Sequence, residues 1–402
     1  MYYAICCNLF LYDIIFLERF IMNSPIKYPG GKNKELNVII PNLPKKIDRF
    51  FEPFVGGGAV YFSIDKEIPL FINDKSDELI NFYNQIKNQD SEFLETLNKF
   101  EDSTQFLLNL INNYKDSLIS IYHDNFNNIE NLYKQLQSFL DKVDPLLKEN
   151  IFTYTLSYSS FREQLLKSIF DKYKRIYKLT QKHGQLEKDE DLINNITTGF
   201  ISAYYTFNRT IYNSQVELNI PDNIQGSYYF YIREYCYSSM FRYNKNGKFN
   251  VPYGGMSYNK KSLTNKISYL SNRNLVSHLK KTTIENQDFY NFLEGKNLKS
   301  DDFLFLDPPY DTEFSTYANN TFEKSDQERL AEFLLNECPA KFMLIIKNSK
   351  LISKLYKEGM PTLSGKLEIF EFQKKYLVSF RNRNNKDANH LLITNYPINK
   401  KR

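Results

Sequence analysis

The sequence predicts an α/β protein with a Rossmann-like, doubly wound sheet that is interrupted by a long helical insertion. Three observations lead to this prediction. Residues 47–74 have the pattern of a strand, a glycine loop, a helix and a second strand ending in an acid. Apolar runs at 303–306 and 341–346 are typical of buried strands. After the glycine-loop unit and before these runs, residues 75–183 contain no glycine and one proline, and apolar residues recur every three or four positions, as in helices.

Length and composition limit the class of protein. A chain of 402 residues exceeds one compact core, so two domains are expected. The net charge of +5 is too small to indicate a nucleic-acid partner by itself. The four cysteines and four histidines show neither metal-ligand spacing nor a disulfide framework. This predicts a cytoplasmic protein without a metal.

Residues 1–21 are mostly apolar, but Asp13, Glu18 and Arg19 interrupt them. They lack a basic leading segment and a small-residue cleavage site, which argues against a signal peptide and against a membrane span. We interpret them as an extra amphipathic segment, or as an upstream extension with the working start at Met22.

The first half of the predicted sheet carries a glycine loop. A strand ending at Glu52 leads into Pro53-Phe54-Val55-Gly56-Gly57-Gly58, and the next strand ends at Asp74. Glycines allow a tight turn and the close approach of a ligand, and an acid in this position binds a ribose hydroxyl in doubly wound folds. The unit predicts a nucleoside site. Upstream, Tyr28-Pro29-Gly30-Gly31-Lys32 is either a plain turn or a second ligand segment, in which Lys32 can pair with a carboxylate.

The apolar run Phe303–Leu306 is followed by Asp307-Pro308-Pro309-Tyr310. Prolines donate no N–H, so their carbonyls are available as acceptors. The Asp307 carboxylate and the Pro308 carbonyl can together accept hydrogen bonds from one exocyclic amino group, and Tyr310 can stack on the ring that carries it. For these four residues alone, the alternative is a strand end that turns at two prolines beside a solvated acid.

The end of the insertion is basic. Residues 242–281 contain nine Lys or Arg and no Asp or Glu, with aromatic and Asn residues between them. Asn246-Gly247 predicts a β-hairpin with a two-residue turn. A basic hairpin suits phosphate neutralisation and groove reading, although a plain solvated hairpin is the alternative. A second basic loop, 381–386, separates the last two predicted strands, and His390 after it is interpreted as structural.

In this order, the motifs resemble those of the α-class DNA adenine-N6 methyltransferases, the group of Dam and the type II restriction-modification enzymes. The resemblance extends from Ser24 to Tyr396. It rests on the segments 27–32, 51–58, 73–74, 242–254 and 307–310.

The resemblance implies S-adenosyl-L-methionine as the methyl donor, a flipped adenine in double-stranded DNA as the acceptor, and no metal. It implies a catalytic site of Asp307, Pro308, Pro309 and Tyr310. The positions that it assigns to the donor are Tyr28, Lys32, Glu52, Pro53, Phe54, Gly56, Gly58, Asp74, Asp288, Phe289 and Asp307. Those that it assigns to DNA are Arg242, which would read a base, and Asn244, Lys245, Lys248, Tyr253, Arg381 and Arg383.

The predicted organisation is a Rossmann-like methyltransferase sheet with an inserted, mainly helical target-recognition domain that carries the hairpin. Residues 1–21 form the extension, 22–74 and 282–402 form the catalytic domain, and 75–281 form the insertion. We expect a monomer without membrane contact, with a cognate restriction endonuclease as a separate partner. One alternative is an RNA or protein-glutamine N-methyltransferase, which usually has Asn at the first position of the tetrapeptide Asp307-Pro308-Pro309-Tyr310. A non-catalytic DNA-binding regulator is the other, but it would have no use for a donor pocket.

Overall fold

The structure is a computed structural model that describes residues 22–64, 67–126, 128–183, 188–310, 322–375 and 387–398. The predictions for the extension 1–21 and for Arg381 and Arg383 lie outside the described residues. None of the helices in the described part combines the length and the hydrophobicity that crossing a bilayer requires.

A central sheet organises the described residues. Its strands are β1 (Phe50–Glu52), β2 (Leu70–Asn73), β3 (Thr282–Glu285), β4 (Phe303–Leu306), β5 (Lys341–Lys347), β8 (Glu368–Lys375) and β9 (Asp387–Thr394), and a separate small hairpin consists of β6 (Pro361–Thr362) and β7 (Gly365–Lys366). The order across the sheet is β3-β2-β1-β4-β5-β9-β8. The pairs among β1 to β5 are parallel, whereas β9 is antiparallel to both of its neighbours. The predicted α/β class with a largely parallel sheet is confirmed.

The strand order determines where in the sheet the candidate site lies. From β1 the chain proceeds to β2 and β3 on one side, and it then returns to β4 on the other side of β1. In the parallel register, Phe50 lies opposite Phe303 and Phe51 opposite Leu304. The carboxyl ends of β1 and β4 therefore meet at the point where the winding direction reverses, which is where ligands bind in open α/β sheets.

Helices fill both faces of this sheet and the stretch between β2 and β3. They are α1 (Leu36–Ile39), α2 (Asp77–Asn88), α3 (Ser91–Asn113), α4 (Lys115–Asp124), α5 (Ile129–Asn150), α6 (Tyr158–His183), α7 (Asp189–Tyr212), α8 (Asp222–Tyr235), α9 (Thr264–Leu270), α10 (Arg273–Lys280), α11 (Phe289–Glu294), α12 (Lys324–Glu332) and α13 (Ile352–Leu355). Side chains fix several starts: Ser76 accepts from the Leu79 N–H, and Asp90 accepts from the Phe93 N–H.

Strand β4 separates two hydrophobic cores. Phe303 and Phe305 face a core that continues through the helices between β2 and β3, whereas Leu304 and Leu306 face a core formed with α11 and α12. This alternation follows from the two-residue period of a strand. The helical insertion is therefore packed on the sheet through shared apolar contacts. Its role as a target-recognition domain, and the boundaries proposed for it, stay predictions.

The predicted hairpin differs in its turn. The Gly247 N–H donates to the Asn244 C=O (2.9 Å), and the Asn244 N–H donates to the Lys248 C=O (2.9 Å). The loop thus has three residues, with Gly247 in the left-handed region (φ +71°), rather than two. The side chain of Asn244 causes this shift, because its Oδ1 accepts from the N–H groups of Asn246 and Lys248. Next to the loop, Tyr243 pairs with Phe249 in a single antiparallel bridge.

Candidate active site

The glycine loop and the acid after β2 lie together. The Gly56 N–H donates to Asp74 Oδ2 and the Ser76 N–H donates to Asp74 Oδ1, both at 3.0 Å. Gly56 (φ +48°) and Gly58 (φ +69°) have left-handed backbones, and a Cβ on Gly58 would lie 2.9 Å from the Phe62 ring. Burial raises the pKa of Asp74, although these N–H donors oppose the shift. The loop is thus held in one shape by the carboxylate predicted to bind ribose.

Tyr28 covers the same loop. A Cβ on Gly56 would lie 3.1 Å from Tyr28 Cδ1, and one on Gly57 would lie 3.0 Å from Tyr28 Cβ. Only glycine therefore lets the two glycine-rich segments approach this closely. Burial, followed by the charge of Asp74, raises the pKa of the Tyr28 hydroxyl well above its ordinary value. The turn that contains Tyr28 and the glycine loop, both predicted to bind the methyl donor, are therefore in contact.

Lys32 joins the first glycine-rich turn to the tetrapeptide after β4. Its side chain is only 3% exposed, and its ammonium group donates to the Asp307 carboxylate. The same Nζ donates to the Gly30 C=O at 3.0 Å and lies 3.4 Å from the Tyr310 hydroxyl. The predicted carboxylate partner of Lys32 is therefore a residue of the chain itself.

Glu52 lies at the end of β1 beside this ion pair and is 2% exposed. Burial raises its pKa well above the ordinary value, and the negative charge of Asp307 raises it further, whereas the Tyr61 backbone N–H and Lys32 oppose the shift. Its Oε2 accepts no hydrogen bond from the described residues. A buried oxygen without a donor fits a ligand that carries an N–H or O–H group.

Two further side chains hold the tetrapeptide, and sequence reasoning did not single out either for this role. Gln327 on α12 donates its Nε2–H to the Pro309 C=O at 2.8 Å. The ring of His390, which is fully buried on β9, meets the Tyr310 ring edge-on at a centroid distance of 5.3 Å. The prediction that His390 is structural is compatible with this packing. Neither residue belongs to a recognisable local motif, so only the fold reveals them.

The predicted adenine-holding pair, Asp288 and Phe289, starts α11. Asp288 Oδ1 caps this helix by accepting from the Tyr290 N–H (3.0 Å), and Oδ2 pairs with Arg329 (2.7 Å). The Phe289 ring lies 5.5 Å from that of Phe54, and the Arg329 guanidinium lies 4.6 Å over it. Phe54 and Phe289 thus come together as predicted. The residue that sequence reasoning missed is Arg329, which already engages the Asp288 carboxylate.

The residues assigned to DNA fall into two groups. Arg242, Asn244, Lys245 and Lys248 are exposed, and Arg242 Nε donates to Asn250 Oδ1 at 2.9 Å. Tyr253 is instead buried, with 8% of its surface exposed. Its ring lies against two tyrosines of the helical insertion, Tyr205 and Tyr235, so the structure gives it a packing role, and its contact with DNA stays a prediction.

The glycine loop, the strand-end acid and the tetrapeptide lie together at the reversal point of the sheet, an arrangement typical of Rossmann-like enzymes. A model of the D12 class N6 adenine-specific DNA methyltransferases matches residues 28–376, and the chain belongs to this family. The predictions of an enzyme and of adenine methylation in DNA are thereby confirmed. The family assignment decides against the RNA, protein and non-catalytic alternatives.

Individual relatives agree with this assignment. The chain is 25% identical to type II methyltransferase M.MjaIII of Methanocaldococcus jannaschii, over 92% of this chain and 98% of the relative. It is 25% identical to type II methyltransferase M1.LlaDCHI of Lactococcus lactis subsp. cremoris, over 83% and 84% of the two chains. A stretch of 178 residues is 35% identical to type II methyltransferase M.CviBI of Paramecium bursaria Chlorella virus NC1A and covers 42% of this chain and 61% of the viral protein.

Proposed function

We propose that this DNA methyltransferase uses S-adenosyl-L-methionine to methylate the exocyclic amino group of an adenine that is flipped out of a short site in duplex DNA. The contact between Lys32 and Asp307 carries the proposal. It brings the turn that covers the glycine loop to the tetrapeptide suited to an amino group. This contact supports a donor site and an acceptor site that share one position at the reversal point of the sheet.

The residues at this position fit the proposed donor. Tyr28, the backbone at Gly56, and the carboxyl groups of Glu52 and Asp74 would hold its polar parts. Phe54 and Phe289, with ring centroids 5.5 Å apart, offer flat faces for its adenine. The buried Glu52 Oε2, which lacks a partner among the described residues, is an acceptor ready for an N–H group. When bound, S-adenosyl-L-methionine supplies an electrophilic methyl group.

Asp307, Pro308 and Tyr310 would act on the target adenine. Its amino nitrogen is a poor nucleophile because the lone pair is delocalised into the ring. Hydrogen bonds from the amino group to the Asp307 carboxylate and the Pro308 C=O favour a pyramidal, more nucleophilic nitrogen and fix its direction. Tyr310 would restore part of the stacking that is lost on flipping, worth about 1–3 kcal/mol. Fixing both reactants in this way lowers the barrier by roughly 7–11 kcal/mol in the best cases.

The exposed residues around Gly247 would bind DNA. We assign base reading to Arg242 and phosphate contacts to Lys245 and Lys248, since all three are exposed on one short loop and its flanks. The type II names of the relatives support a role in a restriction-modification system with a separate endonuclease. The free, buried thiols of Cys236 and Cys338 are compatible with a cytoplasmic enzyme, which we expect to act as a monomer.

The test is incubation of the full chain with tritiated S-adenosyl-L-methionine and, separately, unmethylated plasmid DNA, RNA and a protein mixture. We expect label in DNA alone, released as N6-methyldeoxyadenosine after digestion to nucleosides. Label in RNA or protein, or on cytosine, would refute the proposed acceptor. Equal transfer to single-stranded and duplex DNA would argue against a duplex site.

A further inference from the structure

Gln327 is a buried polar residue on the face of α12 that points to the tetrapeptide. None of its surface is exposed, and its Nε2–H donates to the Pro309 C=O at 2.8 Å. None of the described residues donates a hydrogen bond to its Oε1. A buried amide that is only half satisfied destabilises a helix–sheet contact compared with an apolar side chain of the same shape. Stability alone therefore does not explain an amide at this position.

The bond to Pro309 has a specific consequence for the acceptor groups. Neither Pro308 nor Pro309 has an N–H, so backbone hydrogen bonds can restrain these two residues only through their carbonyls. Gln327 occupies the Pro309 C=O, while the neighbouring Pro308 C=O is the one proposed to accept from the adenine amino group. The bond also fixes the peptide plane between Pro309 and Tyr310, and with it the direction in which the Tyr310 side chain leaves the backbone.

The position of Gln327 is itself well defined. A reciprocal capping box between Glu323 and Asp326 fixes the start of α12, and Gln327 follows directly after it. On the same helix, Arg329 pairs with Asp288 at 2.7 Å. Helix α12 thus contacts both the tetrapeptide and the segment proposed to hold the donor adenine. A helix that contacts both segments keeps the acceptor groups and the donor site at a fixed distance and orientation.

We propose that Gln327 is a positioning residue for methyl transfer. Its amide holds the Pro309 carbonyl and thereby keeps the Asp307 and Pro308 acceptors and the Tyr310 ring in the reactive arrangement. This inference rests on the roles proposed above for these three residues. It assigns no contact between Gln327 and either substrate.

The test uses Gln327→Met in the full chain, which keeps the length of the side chain and removes the amide. Donor affinity, the KM for unmethylated plasmid DNA, the melting temperature and the single-turnover methylation rate are measured against the unsubstituted chain. We expect the two binding constants to change less than about threefold and the single-turnover rate to fall about 100-fold, the loss that a displacement of about 1 Å can cause. The matched control is Glu328→Gln on the exposed side of α12, which should keep the rate.

A second variant keeps the test decisive if Gln327→Met does not fold. Gln327→Asn retains the amide but withdraws it by one methylene, and it should lose rate without losing donor or DNA affinity. An unchanged rate in a folded Gln327 variant, or a loss confined to melting temperature or to KM, would overturn the inference. If the unsubstituted chain itself transfers no methyl group to DNA adenine, the proposed function fails instead, so the two failures are distinguishable.

Discussion

The guanidinium carbon of Arg233 lies 3.3 Å from the centre of the Phe241 ring, directly before the proposed base-reading residue Arg242. Arg233 is 1% exposed, its Nη2 donates to the Lys27 C=O at 2.7 Å, and its guanidinium also lies 5.2 Å over the Tyr28 ring. One buried cation at the end of α8 therefore contacts both the segment entering the loop proposed to bind DNA and the turn that covers the glycine loop. This contact gives the two proposed binding sites a common support.

Replacing this cation should disturb both sites. In Arg233→Met the cation–π contact, worth about 2 kcal/mol when desolvated, and the bond to Lys27 are lost, although a buried charge is also removed. We expect a small change in the free energy of unfolding and a clear loss of donor affinity, because Tyr28 loses its support. Titration of the donor with and without DNA measures this effect.

Arg175→Met on the exposed side of α6 serves as the control, and it should leave donor affinity unchanged. A wild-type donor affinity in Arg233→Met, both with and without DNA, would mean that the buried cation does not support the donor site.

The second prediction concerns the acceptor group itself. Asp307→Asn keeps the shape of the side chain but removes the charge that pairs with Lys32 and one acceptor for the amino group. We expect less than a few per cent of the unsubstituted turnover, with DNA affinity retained and donor affinity at most modestly reduced, because the loss falls on the reacting nitrogen. Rates with tritiated donor and plasmid DNA provide the measurement.

For comparison, Asp301→Asn removes a carboxylate that pairs with Lys46 and Lys341 outside the site, and it should keep turnover. Substantial turnover in Asp307→Asn would show that the negative charge of Asp307 is not required for catalysis.

The third prediction is a pH dependence of stability that arises from Glu52. Burial and the charge of Asp307 raise its pKa in the folded chain well above the value of 4.5 for an exposed glutamate. Above pH 4.5 the unfolded chain releases this proton while the folded chain keeps it, so the free energy of unfolding decreases as the pH rises towards the folded pKa. Glu52→Gln cannot titrate and should show a flatter stability profile from about pH 5 upward.

Denaturant unfolding of both chains at several pH values measures this difference. The gain of Glu52→Gln over the unsubstituted chain should be largest at the alkaline end. Parallel profiles would show that the pKa of Glu52 is not raised in the folded chain.

The parts of the site that could be predicted are those encoded over short distances. The glycine loop, Asp74 and the tetrapeptide are each local patterns, and a parallel sheet brings their strand ends together. Lys32 and Asp307 are 275 residues apart in the sequence, so the partner of Lys32 could be identified only once the strand order was known. Gln327 and Arg329 belong to an ordinary polar helix sequence. The burial of Tyr253 could not be predicted either, because it depends on contact with Tyr205, a residue of a helix distant in sequence.

The fourth prediction separates base reading from phosphate binding. Arg242 is exposed, and its Nε donates to Asn250 Oδ1, which leaves its two terminal nitrogens without a hydrogen bond to the described residues. Such a fork can make a bidentate contact to guanine that discriminates by about 1–3 kcal/mol. Arg242→Ala should therefore relax the recognition sequence at one base pair.

Lys248→Ala is the matched comparison, since Lys248 is also exposed, on the other side of the loop. A phosphate contact carries no sequence information, so this variant should weaken binding to all sequences alike and reduce the slope of affinity against salt by about 0.9 for one contact. Methylated sites are mapped on a random-sequence DNA library for both variants, and binding is measured at several salt concentrations. An unchanged consensus in Arg242→Ala, with weaker methylation at every site, would place Arg242 on a phosphate and sequence reading elsewhere in the insertion.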